Sequence, residues 1–135
     1  RTDALSIGID VECIIERTRA ERLSRLVLRP EEHQVGGDML DPGLRFTMIF
    51  SIKEAIFKCL FPLAGKRFYY EAFSVTRIDR EAGSFTGHLT VDLAEGLRGG
   101  HTLTGRFATN GELVHTAVLL APSVVTSVGS VSRPG

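Results

Sequence analysis

Hydrophobic and polar residues alternate strictly over "LSIGIDVE" near the start of the chain. Leu5, Ile7, Ile9 and Val11 project to one side; Ser6, Gly8, Asp10 and Glu12 project to the other. A period of two predicts a strand with one buried face. "CIIERTRAERLSRLVL" has enough helical periodicity for one or two short helices, and Pro30 can open a further helical turn at "PEEHQV". Residues 36–43, "GGDMLDPG", read as loop. Residues 44–61 read as a long helix stopped by Pro62 and Gly65. Four β-rich runs follow: "FSVTRID" (73–79), "SFTGHLTVDL" (84–93), "HTLTGRFAT" (101–109) and "ELVHTAVLL" (112–120). Asn110-Gly111 between the last two predicts a type I′ hairpin, and Gly99-Gly100 another turn. The order of strand, helices and antiparallel meander makes the fold α+β. Residues 1–121 form one domain, and residues 122–135, small and polar, read as a flexible tail.

The chain has 135 residues, the size of one domain, and 43% are hydrophobic, enough for a real core. Its 16 basic and 16 acidic side chains balance, unlike a dedicated nucleic-acid binder. Two cysteines, Cys13 and Cys59, make no disulfide scaffold, which fits a reducing cytoplasm. No apolar run approaches the ~18 residues of a membrane span. The first residue is Arg1 rather than Met, with almost no lead-in before the first strand, so a piece of a longer protein is expected.

Two stretches carry candidate chemistry. Asp10 and Glu12 stand two apart on one strand face, with Cα atoms roughly 7 Å apart. Like charges so placed repel unless a cation sits near them, and hard oxygen ligands suit Mg²⁺. An Asp-x-Glu pair is more often just the solvated face of an edge strand, but Gly8 beside it lets backbone or ligand come close. On the long helix, Ile52, Ala55, Ile56, Cys59 and Leu60 share an apolar face. Phe50, Phe57 and Phe61 form a second stripe roughly opposite. Ser51, Glu54 and Lys58 occupy a narrow polar strip between the two, which is either a surface salt bridge of small worth or the floor of a cleft.

"GIDVE" followed about forty residues later by "FSIKEAIFK" resembles the 4′-phosphopantetheinyl transferase superfamily, closest to the second lobe of its two-lobed surfactin/enterobactin type. The resemblance covers residues 6 to about 120, and "LFPLAGKRFYYEAF" shares the enterobactin-type flavour. It implies that Asp10, Glu12 and Glu54 form a Mg²⁺ site and that Lys53 and Lys58 contact the phosphates of coenzyme A. Glu54 would also be the general base, directly or through water. The implied reaction moves the phosphopantetheine arm of coenzyme A onto a serine of an acyl or peptidyl carrier protein and releases 3′,5′-ADP. Metal, cations and a base are what phosphoryl transfer requires.

The two-lobed enzymes carry an upstream lobe that grips the adenine and the 3′-phosphate, and this sequence has no match to it. The length is that of the single-lobed, trimeric holo-acyl-carrier-protein synthases. A separated lobe, the terminal domain of a synthase and a self-associating single lobe all remain open. Two other classes stay open as well: a non-catalytic docking or structural lobe, and another Mg²⁺-dependent phosphotransferase or nuclease. The three retained acids disfavour the first; the neutral chain and the helix motif disfavour the second. Arg45, Lys66 and Arg67 are candidates to steer an acidic carrier protein, although such residues are commonly plain solvated surface.

Overall fold

The computed structural model describes residues 6–120 except Met39 and Lys66. Five antiparallel strands form one sheet in the order β1-β5-β4-β3-β2. They are β1 (Ser6–Cys13), β2 (Phe73–Asp79), β3 (Ser84–Leu89), β4 (Thr102–Thr109) and β5 (Leu113–Leu120). Between β1 and β2 come α1 (Arg17–Val27), a 3-10 turn (Pro30–Gln34), α2 (Pro42–Ala64) and a second 3-10 turn (Tyr70–Ala72). The fold is α+β, as expected. None of the described helices is long and apolar enough to cross a membrane.

α2 starts two residues before the expected boundary because Asp41 caps it, its Oδ2 accepting from Leu44 N at 3.1 Å, and Pro42 occupies the first turn. Pro62 lies inside the last turn rather than ending the helix. Gly65, with φ of 69°, provides the left-handed cap and donates its N–H to Phe61 O.

The core lies between α2 and the inner face of the sheet. Met48, Ile49, Ile52, Ile56 and Leu60 meet Phe73, Phe85, Leu89, Val114 and Val118 there. α1 packs on the other flank of α2 through a smaller cluster of Ala20, Val27 and Phe46.

β1 keeps its predicted alternation, but the polar face is the buried one. Gly8 and Asp10 turn towards α2, while Ile7, Ile9 and Val11 are 53%, 59% and 48% exposed on the outside. The cause is backbone packing. A Cβ on Gly8 would overlap the carbonyl oxygen of Ala55, so α2 lies too close for large side chains. Ser6 meets α2 just as closely, its Oγ donating to Cys59 O. Leu5 lies outside the described residues.

The meander is shorter at one strand than its composition suggests. β3 ends at Leu89, and residues 90–101 form a looped connection with a turn at Gly100. The β4–β5 hairpin closes through Asn110 N to Leu113 O, which centres the turn on Gly111 and Glu112. Only Gly111 has positive φ, 93°, so glycine sits where a type II′ turn wants it and type I′ does not form. The side chain of Asn110 instead accepts from the backbone N–H groups of Glu112 and Leu113. The expected tail beyond Pro122 lies outside the described residues.

Candidate active site

Because β1 presents its polar face to α2, Asp10 and Glu12 look across a narrow gap at the helix. Asp10 is 6% exposed. Its Oδ1 receives Lys58 Nζ at 3.0 Å, and Lys58 also donates to Ile9 O at 3.1 Å. Its Oδ2 is buried without any hydrogen-bond partner among the described residues. A buried carboxylate oxygen left without a donor is costly, and it marks a place where a proton, a water or a cation belongs.

Glu12 is held up at about pKa 7, against an ordinary 4.5. Partial burial is the largest cause, followed by the proton it can share with Asp10 and by the negative charges of Asp10 and Glu54; Lys58 opposes them. The three acids therefore feel one another across the gap. Among the described residues no three acidic, His or Cys side chains form a ready-made metal cage. The donor set nevertheless suits a hard divalent cation: carboxylate oxygens only, one of them buried and unpartnered.

Glu54 takes its hydrogen bond from the hydroxyl of Tyr70, 3.1 Å from Oε2. Sequence patterning does not single out Tyr70, because sixteen residues separate it from its partner. Burial and the charge of Glu54 raise the Tyr70 phenol above its ordinary value, so it stays protonated and donates.

A cleft of about 620 Å³ opens beside this group, lined by Glu54, Phe57, Lys58, Phe61, Arg67 and Tyr70 among others. A second, of about 350 Å³, lies on the α1 side and includes Glu12, Arg19, Phe50 and Tyr70. Of the expected aromatic stripe, Phe61 is 51% exposed. Phe57 instead packs edge-on against Phe68 and tilted against Tyr70, with ring centres 4.9 and 5.3 Å apart. Phe50 stacks on Phe46 at 5.8 Å.

Lys53 does not line this cleft. It is wholly buried and pairs with the equally buried Glu32 at 2.8 Å. It also donates to Val27 O at 3.0 Å and Tyr70 O at 2.7 Å. Burial lowers its pKa, and Glu32 offsets part of that. Glu32 in turn accepts from Val75 N at 2.6 Å and Arg29 N at 2.7 Å. At about 100° per residue Lys53 falls between Leu60 and Phe57 on α2, in the middle of apolar surface. That spacing was the available signal for a core lysine.

Arg45 is also engaged, donating to Val35 O at 2.8 Å and to the carbonyls of Gly37 and Leu40, so it staples its own loop. Arg67 is exposed at the cleft, and Lys66 lies outside the described residues.

An acidic strand set against a helix that carries a carboxylate and a lysine, beside an open aromatic cleft, is a donor set that could hold a divalent cation and a phosphate. The family follows from comparison. A family model described as the 4′-phosphopantetheinyl transferase superfamily matches residues 6–114, and the chain belongs to that family. It is 30% identical over 139 aligned positions to the 4′-phosphopantetheinyl transferase Svp of Streptomyces mobaraensis. That alignment takes in 98% of this chain but 54% of the relative, so the chain spans about half of the curated protein it matches.

Proposed function

We propose that this chain supplies the metal and pyrophosphate half of an enzyme that transfers the 4′-phosphopantetheine arm of coenzyme A to a serine of an acyl or peptidyl carrier protein. The observation that carries the reading is the unpartnered, buried Asp10 Oδ2, set beside Glu12 and within electrostatic reach of Glu54. Asp10, Glu12 and Glu54 would hold Mg²⁺, which would neutralise charge on the pyrophosphate. Lys58, half exposed at the cleft, is the phosphate contact. Lys53 supports the site from within the core, since its amine is already fully engaged.

In the proposed step the serine Oγ forms a bond to the phosphorus that bears the pantetheine. The bond from that phosphorus to the bridging oxygen breaks, and 3′,5′-ADP leaves with the electron pair. Glu54 takes the serine proton, directly or through water.

The adenine and 3′-phosphate need a further lobe or subunit. The stripe of Ile7, Ile9 and Val11 supports this. It continues onto β5 through Leu119, the 57% exposed cross-strand partner of Ile7, and forms an apolar patch on the outer face of the sheet. This surface, rather than the phenylalanine stripe, is the better candidate for the missing partner.

Mass spectrometry of an apo carrier protein incubated with the full-length protein, coenzyme A and Mg²⁺ tests the reading. A mass gain equal to the phosphopantetheine arm is expected. No gain, with a carrier that other transferases modify, would refute it.

A further inference from the structure

We infer that Tyr70 is a positioning residue for Glu54, holding one oxygen of that carboxylate so that the other stays turned to the metal and the acceptor proton. The inference rests on the roles proposed above for Glu54. Two observations carry it.

Tyr70 is pinned at both ends. Its backbone carbonyl accepts from Lys53 at 2.7 Å, and that lysine is itself locked by the buried Glu32. Its ring lies between Phe50 and Phe57, with ring centres 5.8 and 5.3 Å away. The hydroxyl therefore sits at a place fixed by the core, not by a mobile loop. Lys53 and Glu54 are neighbours on α2, one buried in the core and the other lining the cleft, and this one tyrosine connects them.

Glu54 has little else to hold it. Among the described residues its carboxylate accepts one hydrogen bond, from Tyr70. Lys58, one helical turn further along α2, donates to Asp10 and to Ile9 O. With that single partner, the Tyr70 hydroxyl decides which way the two oxygens of Glu54 turn.

A positioned carboxylate of this kind matters because small errors of placement at a reacting centre cost large factors in rate.

The test is a double-mutant cycle of Tyr70→Phe with Glu54→Gln in the full-length protein, read in two ways. Tyr70→Phe keeps the ring and its packing. Transfer under single-turnover conditions is expected to fall about tenfold, with KM for coenzyme A within about twofold and an unchanged melting temperature. Mn²⁺ binding followed by electron paramagnetic resonance, without substrates, is expected to weaken by about three- to tenfold. Both effects should vanish in the Glu54→Gln background, where a purely structural role would persist. Parental rate and Mn²⁺ affinity in Tyr70→Phe, or losses that simply add, would overturn the inference. If the parent transfers nothing, the proposed reaction falls while the Mn²⁺ cycle still decides on Tyr70. A parent that binds no Mn²⁺ would overturn the metal role of Glu54 and the place of Tyr70 in it.

Discussion

Lys53 Nζ lies 2.8 Å from Glu32 Oε1, and neither side chain has any exposed surface. A buried ion pair adds little net stability compared with a well-packed apolar pair, but removing one partner strands the other. Lys53→Ala is therefore expected to cost about 3–5 kcal/mol in urea unfolding. The double replacement Glu32→Gln with Lys53→Met should recover much of that loss, because no buried charge is left unpaired. A Lys53→Ala variant of parental stability but raised KM for coenzyme A would instead return Lys53 to the phosphate.

Asp10→Ala should lower transfer at least ~100-fold while leaving the protein folded. Without metal its stability should be unchanged or slightly higher, since one of three clustered negative charges is gone. The pair lost with Lys58 is half exposed on the lysine side and is worth little. Turnover measured beside a denaturation curve checks both halves of the expectation.

The raised Glu12 gives a pH dependence whose sign can be worked out. In the unfolded chain the group titrates near 4.5, and in the folded metal-free protein near 7. Between those values the folded state keeps a proton that the unfolded state has released, so this contribution to stability is present at low pH and is lost as pH rises through about 7. The metal-free midpoint should thus decline from about pH 5 to about pH 8 by an amount that Glu12→Gln removes. Binding of Mg²⁺ near pH 7 should release about half a proton, read by calorimetry in buffers of different ionisation enthalpy.

Gly8→Ala should destabilise by about 3 kcal/mol, because its methyl meets the Ala55 carbonyl, which cannot turn aside inside a helix. Gly99→Ala is the control. Its added carbon would sit at ordinary contact, 3.5 Å from Thr90, and its cost should stay within about 0.5 kcal/mol. Equal unfolding curves for the two variants would show that strand and helix are not in close main-chain contact at Gly8 and Ala55.

Ile9→Lys probes the outer face of the sheet. Ile9 is 59% exposed in this chain, so the substitution should leave its stability within about 0.5 kcal/mol. In the full-length protein it should lower the midpoint and weaken coenzyme A binding if another lobe covers that face. Identical behaviour in both contexts would remove β1 from the interface.

Periodicity along the chain made the elements legible. β1, β2, β4 and β5 agree with it to within a residue, and α2 was found from residues 44–61. What alternation cannot say is which side faces inward. β1 buries its polar set because a helix backbone, not side chains, fills the space behind it. The fates of Phe50 and Phe57 were hidden for a related reason. Phe50 stacks on Phe46 of its own helix, but Phe68 and Tyr70, which pack on Phe57 and on the other side of Phe50, come from the segment after the helix, which a helical projection does not contain. Asp10, Glu12, Glu54 and Lys58 were visible as a strand pair and a helix strip. Tyr70 and Glu32 were not, since each acts through a contact distant in sequence.

The contact between Gly8 and Ala55 also bears on how the site can be altered. Spacing between the acids on β1 and Glu54 on α2 is set by main chain against main chain, a hard stop without a side chain to trim. The aromatic wall opposite, with Phe57, Phe61 and Tyr69, consists of side chains on a helix end and a loop. Adaptation to bulkier substrates therefore has only one direction open to it. The wall can be recut residue by residue, while the gauge between strand and helix stays fixed.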